Sequence, residues 1–268
     1  MLMRIDDHVI SRGSYMLEFS VLGPLTLRRD GRALTVPTVM LRRVLAVLLA
    51  RSGTPASVDL LIDELWGERP PRSARRTLSA YVSRLRKLLG DDDRVESSPG
   101  FYALCPRPGE LDAEAFRQLT ERAAQAHATG DRPAAAAAMR SALALWRGRA
   151  FDGQRDTALV ERTAEGLEQL RLSTFEEYID FKLDAGATGD LVGQLDAMIG
   201  EHPYRERLRG QRMLALYRGG NRADALETFR RTHHVLVQDL GVEPAVKLQQ
   251  LHQRMLAGDP TLASSGVA

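Results

Sequence analysis

Apolar and polar residues alternate at the start of this chain. Residues 17–22 follow this pattern and predict a strand, which Gly23-Pro24 interrupts and residues 25–27 resume. Arg29-Asp30-Gly31 is typical of a hairpin turn, and residues 33–36 predict a third short strand. These patterns predict a small antiparallel sheet.

The apolar spacing becomes helical after residue 36. Thr38 precedes apolar residues three and four positions apart, which predicts an N-cap and a buried helix that ends at Ser52-Gly53. Ser57 and Gly67 are placed to begin and end a second helix. Residues 68–71 then form a turn, because Pro70 and Pro71 suit the start of a helix and not its interior.

A third predicted helix has an apolar face and a cationic face. Its apolar residues, at helical spacing, are Leu78, Val82, Leu85 and Leu89. Six Arg or Lys residues and no Asp or Glu lie from Arg72 to Lys87. From charge alone, a solvated surface helix is the simpler interpretation, and a polyanion partner is the alternative.

The elements around this helix favour a polyanion partner over a solvated surface helix. Residues 94–97 and 101–104 predict two strands joined by a turn at Ser98-Pro99-Gly100, which makes a wing after the third helix. The predicted order is four strands, give or take one, then three helices and the wing. The second and third helices form a helix-turn-helix, whose last helix can enter a DNA major groove about 12 Å wide.

Charge is distributed unevenly along the chain. Residues 16–108 hold 15 basic and 10 acidic residues, a net charge of +5, whereas residues 109–268 hold 20 and 23, a net charge of −3. The formal charge of the whole chain is only +2. A nucleic-acid partner is therefore expected for the first block alone.

The remainder of the chain is patterned as helices. Residues 159–183 carry two apolar stripes, which predicts a long helix with neighbours on two sides. Gly130-Asp131-Arg132 and Gly220-Asn221-Arg222 are similar turns in front of Ala-containing helices, and Gly189-Asp190 is a weaker copy. Imperfect repeats of a two-helix unit suggest a tetratricopeptide-like solenoid.

Composition excludes several classes of protein. The single Cys105 rules out a disulfide framework, the Cys and His residues lack zinc spacing, and no apolar run approaches the ~20 residues of a membrane span. Signatures of phosphate-binding loops, dinucleotide sites, nucleophile elbows and zinc proteases are missing. We therefore expect no enzyme, no cofactor and no metal, and a cytoplasmic, nucleoid-associated location.

Motifs in both halves carry a family resemblance. Those of the first half are Leu22-Gly23-Pro24-Leu25, Leu65-Trp66-Gly67-Glu68-Arg69-Pro70-Pro71, Tyr81-Val82-Ser83-Arg84-Leu85-Arg86-Lys87 and Pro99-Gly100-Phe101-Tyr102. Those of the second are Leu143-Ala144-Leu145-Trp146-Arg147-Gly148, Glu201-His202-Pro203-Tyr204-Arg205-Glu206, Met213-Leu214-Ala215-Leu216-Tyr217-Arg218 and Asp239-Leu240-Gly241-Val242-Glu243-Pro244. Together they resemble the Streptomyces antibiotic regulatory protein family, which joins an OmpR-type winged helix to a bacterial transcriptional activation domain.

The resemblance and the patterns together define a domain plan. We expect a flexible tail at residues 1–15, a winged-helix DNA-binding domain at 16–108, an activation domain of tetratricopeptide-like helices at 109–258 and a disordered tail at 259–268. Met16 is an alternative start of the chain. The predicted fold class is mainly α, with an amino-terminal α+β winged helix-turn-helix followed by an all-α domain.

The resemblance implies which residues meet DNA. Arg84 and Arg86 occupy the positions of the base-reading pair, since the planar guanidinium of Arg reaches guanine O6 and N7 together. Further candidates for base or phosphate contacts are Arg72, Arg75, Arg76, Thr77, Ser79, Ser83 and Lys87. Phosphate contacts are also expected from Thr38, Arg42 and Arg43 at the first helix. The wing tip lacks the Arg of many OmpR-type wings, which leaves Arg94 and Arg107 at its base as substitutes.

The implied function is promoter-specific activation of transcription. The partners expected from the resemblance are promoter DNA with direct repeats, a second protomer alongside on the DNA, and RNA polymerase holoenzyme through its sigma factor and core subunits. The expected targets are secondary-metabolite (antibiotic) gene clusters. In the alternative, the helical domain is a sensor and the regulator is gated by a ligand or a peptide, which would need an apolar pocket with convergent polar groups.

Overall fold

The computed structural model describes residues 16–90, 94–186 and 190–262. The predicted tail at 1–15, the acidic run at 91–93, Gly189 and the last six residues lie outside these ranges. The chain divides into two compact units, one drawn from Met1–Gln118 and Ala144–Glu168 and the other from Leu119–Leu143 and Gln169–Ala268. The domain boundary at residue 108 stays a prediction.

Six strands and ten α-helices lie within the described residues. The strands are β1 (Leu17–Ser20), β2 (Thr26–Arg29), β3 (Arg32–Ala33), β4 (Ala56–Ser57), β5 (Val95–Ser98) and β6 (Phe101–Leu104). The helices are α1 (Val39–Ala50), α2 (Val58–Trp66), α3 (Ala74–Leu89), α4 (Asp112–Ala128), α5 (Arg132–Leu143), α6 (Ala158–Asp184), α7 (Leu191–Glu201), α8 (Glu206–Arg218), α9 (Arg222–Val235) and α10 (Val246–Ala257). None of these helices is long and apolar enough to cross a membrane.

The amino-terminal sheet has the antiparallel order β1-β2-β3. Its β1 edge is covered by the segment after the wing, where the N–H of Phe19 donates to the carbonyl of Glu110 at 2.7 Å. Asp112 accepts hydrogen bonds from the N–H groups of Val21 and Leu22 at 2.8 and 3.1 Å. Residues beyond the predicted boundary therefore complete the hydrogen bonding of the first sheet.

The turn after β1 packs closely on a later segment of the same unit. Gly23 has a φ of +149°, and a Cβ added there would lie 3.1 Å from the Cβ of Arg147. The N–H of Arg147 donates to the carbonyl of Leu22 at 2.8 Å. Two of the motifs that carry the family resemblance are thus in contact, and their residues serve packing within this unit.

The caps of α1 and α2 confirm the sequence prediction. Thr38 accepts from the N–H of Leu41 at 3.2 Å, and Ser57 accepts from the N–H of Leu60 at 3.1 Å. Gly67 follows the last residue of α2 with a φ of 58°. These two helices form a shared core with α3.

The wing is one sheet with an additional short strand. Its order is β4-β6-β5, with β5 and β6 joined by a two-residue turn at Pro99-Gly100. The short β4 pairs Ala56 with Tyr102 and Ser57 with Phe101. The sequence pattern missed β4 because two residues are too few to show an alternation.

The second unit is helical, and α8 packs against α7, α9 and α10. A π-helical turn, Leu236–Leu240, continues α9. In a continuous α-helix Leu240 would lie on the same face as Phe229, eleven residues earlier, but Leu240 is 50% exposed. A π-helical turn takes more residues per turn than an α-helix, so the face that a later residue occupies is displaced.

The end of the described chain also differs from its prediction. Pro260–Leu262 form a 3₁₀ turn, and Leu262 is 5% exposed in a core cluster with Met213 and Met255. The carboxylate of Asp259 accepts from Arg254 at 2.8 Å. Residues 259–262 therefore form a turn that buries Leu262, although the polar composition of the tail predicted disorder from residue 259.

Candidate nucleic-acid interface

The position of α3 is fixed by its apolar face. Ala74, Leu78, Val82, Leu85 and Leu89 are all buried, which leaves the opposite face of the helix in solvent. The helix ends at Leu89 and is followed by Gly90, whose φ of 71° is left-handed and suits the residue after a helix. The predicted separation of an apolar and a cationic face is confirmed.

Most of the predicted DNA contacts lie on the exposed side of α3 or just before it. Exposed residues are Arg72, Arg75, Arg76, Ser79, Ser83, Arg84 and Lys87, and Thr77 is partly buried. Since α3 contains no Asp or Glu, its own residues do not neutralise these charges. Arg75 forms an ion pair at 2.5 Å with Asp59 on α2, and both side chains are exposed to solvent. Such a surface pair is weak and exchanges readily for a phosphate partner.

The structure separates the roles of Arg84 and Arg86. Arg84 is exposed, and its guanidinium lies 5.9 Å from the ring centre of Tyr81. Arg86 is partly buried, and it donates to the carbonyl of Val95 from Nε at 3.0 Å and from Nη2 at 2.7 Å. Its Nη2 also donates to the hydroxyl of Ser97 at 3.0 Å. Arg86 thus ties α3 to β5 of the wing, and Arg84 is the guanidinium of the pair that faces solvent.

The three candidates around α1 also differ in accessibility. The hydroxyl of Thr38 accepts the N–H of Leu41 as an N-cap, and Arg42 is exposed one turn later. The first turn of α1 contains no acidic residue, so the positive end of the helix dipole is not offset there. Arg43 is held by the carbonyl of Leu65 at 3.4 Å and by the carboxylate of Asp156. Arg42 is therefore free to approach a phosphate, and the exposed Thr38 hydroxyl still has its own hydrogen to donate to one, whereas Arg43 is held by its two partners.

The choice of Arg94 as a DNA contact requires correction. Its side chain is 3% exposed and pairs with the buried Glu110 at 2.6 Å. Glu110 also accepts the N–H of Leu17 at 3.3 Å and the N–H of Arg107 at 2.8 Å. Arg94 forms part of an internal network and does not reach the protein surface, whereas the side chain of Arg107 is exposed.

The exposed part of the wing is polar with one aromatic side chain. Ser97, Ser98, Pro99 and Gly100 are exposed, and Phe101 is 44% exposed. Burial and the nearby Glu96 raise the pKa of the Cys105 thiol, which makes it a poor nucleophile. Among the described residues, no group of three or more His, Cys, Asp or Glu is arranged to hold a metal ion.

The hydrogen bond between Arg86 and Ser97 is a structural feature that the sequence did not reveal. The sequence of a basic helix looks the same whether one of its arginines faces DNA or bonds a neighbouring strand. The hydrogen-bonding partner, which lies 11 positions away, is known only once the wing is folded back on the helix.

Comparisons with known proteins agree with this architecture. A family model described as bacterial transcriptional activator domain matches residues 111–256, and one described as transcriptional regulatory protein, C terminal, matches residues 36–100. The regulatory protein DnrI of Streptomyces peucetius is 34% identical over 260 residues, which cover 93% of this chain and 96% of DnrI. The chain belongs to the Streptomyces antibiotic regulatory protein family. Its members are transcriptional activators and not enzymes.

Other members of the family are larger. The regulatory protein AfsR of Streptomyces coelicolor is 40% identical over 253 residues, which cover 94% of this chain but 25% of AfsR. The chain therefore spans about a quarter of the length of that relative. A solved structure of Mycobacterium tuberculosis EmbR in complex with a low affinity phosphopeptide has a TM-score of 0.85 at 32% identity. That match covers 93% of this chain and 69% of the EmbR chain. These findings confirm the fold class, a winged helix followed by an all-helical domain.

Proposed function

We propose that this member of the family activates transcription by binding promoter DNA with α3 in the major groove. The observation that carries the proposal is the exposed side of α3, where Arg76, Arg84 and Lys87 face solvent on a helix without carboxylates. A duplex presents phosphates on both sides of the groove that such a helix enters. Membership of a family of transcriptional activators supports the same conclusion.

The accessible residues divide into two roles. Arg84 is the base reader, because an unrestrained guanidinium can bond guanine O6 and N7 together. Arg72, Arg75, Arg76, Thr77, Ser79, Ser83 and Lys87 supply further base or phosphate contacts. Thr38 and Arg42 hold a phosphate at the start of α1, where the N–H groups and the helix dipole favour an anion.

We further propose that two protomers bind tandem direct repeats and bring RNA polymerase holoenzyme to the promoter. Half-sites about 10 bp apart place both protomers on one face of the DNA. The helical domain supports the contacts between protomers and those to the sigma factor and core subunits. The target is a secondary-metabolite gene cluster, a proposal that rests on the antibiotic regulators of the family.

Footprinting on DNA upstream of the neighbouring genes, with and without polymerase, tests these proposals together. We expect two protected half-sites, and protection extending over the core promoter once polymerase is added. Arg84→Ala should remove the footprint at concentrations where the matched control Arg140→Ala, an exposed arginine on α5, retains it. A footprint that Arg84→Ala leaves unchanged contradicts the assignment of the base reader. Protection without any polymerase effect contradicts recruitment.

One observation favours the second candidate function, a regulator with a sensing domain. A cleft of about 460 Å³ opens in the second unit, within the range of pockets that bind small molecules.

A further inference from the structure

The cleft lies along α8, between α6 and the beginning of α10, and its walls are mainly apolar. We call it the α8–α10 cleft. The leucine side chains that line it are Leu183, Leu214, Leu248 and Leu251. Apolar walls of this extent bind the apolar body of a ligand, while a few polar groups at the rim fix its orientation.

A glycine inside α8 keeps this space open. Gly210 lies in the middle of the helix, where glycine is less stable than alanine because it loses more conformational freedom on folding. A Cβ at this position would meet Leu248 at 3.4 Å and Leu251 at 3.7 Å, which are ordinary contact distances. An alanine therefore fits, so packing does not require glycine here. The absent side chain gives the α8–α10 cleft part of its volume.

The charges at the rim leave one cation without a partner. Asp180 accepts from Arg207 at 2.7 Å and from the buried carboxamide of Gln211 at 2.7 Å. Glu206 accepts the N–H of Ala245 at 2.7 Å, at the amino terminus of α10, where the helix dipole stabilises a negative charge.

Lys247, in the first turn of α10, is exposed and forms no ion pair with any residue in the described part of the chain. Of the four charged side chains that line the cleft, Asp180, Glu206 and Arg207 are hydrogen-bonded within the described chain, and Lys247 is not. The complement of its ammonium group is an anion.

We propose that the α8–α10 cleft binds a small apolar carboxylic acid, with the apolar body against the leucines and the carboxylate at Lys247. Such a ligand satisfies the apolar walls and the unpaired ammonium together. Because α10 lines this cleft and also packs on α9, binding fixes the packing of the last helices of the second unit. The site contains no residue of the proposed DNA interface.

Octanoate and 1-octanol are suitable probes because they share an apolar chain and differ in charge. We expect octanoate to bind saturably to the full chain, and methyl NMR to show shifts at Leu183, Leu214, Leu248 and Leu251. Lys247→Gln should weaken octanoate binding about threefold, which is within the range for one exposed ion pair. The same substitution should leave the affinity for 1-octanol unchanged. The matched control Lys182→Gln changes a lysine of α6 that does not line the cleft, and should bind both probes as the parent does.

Filling the cleft provides a second test. Gly210→Leu should abolish binding of both probes. Should that variant fail to fold, Gly210→Ala still tests the proposal, because its Cβ fits: we expect a higher Tm and weaker octanoate binding. Octanoate binding that is unaffected by Lys247→Gln and by both Gly210 variants overturns the proposal, as does the absence of saturable shifts at the four leucines. All measurements are made without DNA, so their failure leaves the promoter-binding proposal untouched.

Discussion

Replacing Arg86 by alanine tests whether a recognition-helix arginine holds the wing or reads a base. The guanidinium donates three hydrogen bonds to the wing, two to the carbonyl of Val95 and one to Ser97. Hydrogen bonds that involve a charged group contribute about 1.5–3 kcal/mol each when buried, and partial exposure reduces this. We expect Arg86→Ala to lower the free energy of unfolding by about 2 kcal/mol.

The effect on DNA binding distinguishes the two roles. A loosened wing weakens binding to every sequence alike, so the ratio of affinities for the intact site and a mutated site stays constant. Loss of a base contact instead costs about 1–3 kcal/mol against the wrong base, a change of roughly 5- to 150-fold in that ratio. For Arg86→Ala we expect a constant ratio with reduced overall affinity.

Arg84→Ala is the matched comparison on the same helix. Arg84 makes no hydrogen bond to the described residues, and a distance of 5.9 Å from the Tyr81 ring gives at most a weak cation–π contact. Its removal should change the free energy of unfolding by less than about 0.5 kcal/mol. It should also lower the ratio of affinities for the intact site and a mutated site. Denaturant unfolding and titration of paired duplexes measure both quantities. If Arg86→Ala keeps full stability and loses discrimination at one base pair, our assignment of Arg86 to the wing is wrong.

Three further predictions concern separate parts of the chain. Lys87→Ala should reduce the slope of log affinity against log salt by about 1, since it removes one phosphate contact, and an unchanged slope excludes that contact. Gly23→Ala should lower the free energy of unfolding by about 2 kcal/mol, because its φ of +149° is strained for other residues and its Cβ would crowd Arg147; equal denaturation midpoints contradict this. His252 stacks on Phe229 at 4.0 Å, and burial, with Arg230 nearby, lowers its pKa. Its contribution to stability is therefore present above the normal pKa of 6.5 and lost as the pH falls through the lowered value, and His252→Phe should reduce the drop in Tm between pH 7 and pH 5.

The sequence predicted features that depend on neighbouring residues. Thr38 and Ser57 cap their helices as expected, because a cap is a contact between residues three positions apart. The apolar stripe of α3 likewise fixed which side is buried. The long helix α6 was predicted to within two residues at either end from its two apolar stripes.

Features that depend on distant residues were not predictable from the pattern. Arg86 and Arg94 resemble DNA contacts in sequence, yet one bonds the wing and the other pairs with Glu110 in the interior. Their partners lie 9 and 16 positions away, and nothing in the sequence pattern around either arginine identifies them. The strand β4 was missed for a related reason, since its two residues form a strand only through pairing with β6.

The buried pair of Arg94 and Glu110 limits how this chain can be recombined with its relatives. A chimaera joined at residue 108 would take Arg94 from one parent and Glu110 from the other, although both belong to one compact unit. If the second parent lacks the carboxylate, a guanidinium is left buried without its counter-charge, at a cost of about 3–5 kcal/mol. Domain exchange, in the laboratory or in evolution, is therefore expected to preserve the winged helix only where the junction carries Glu110 with it.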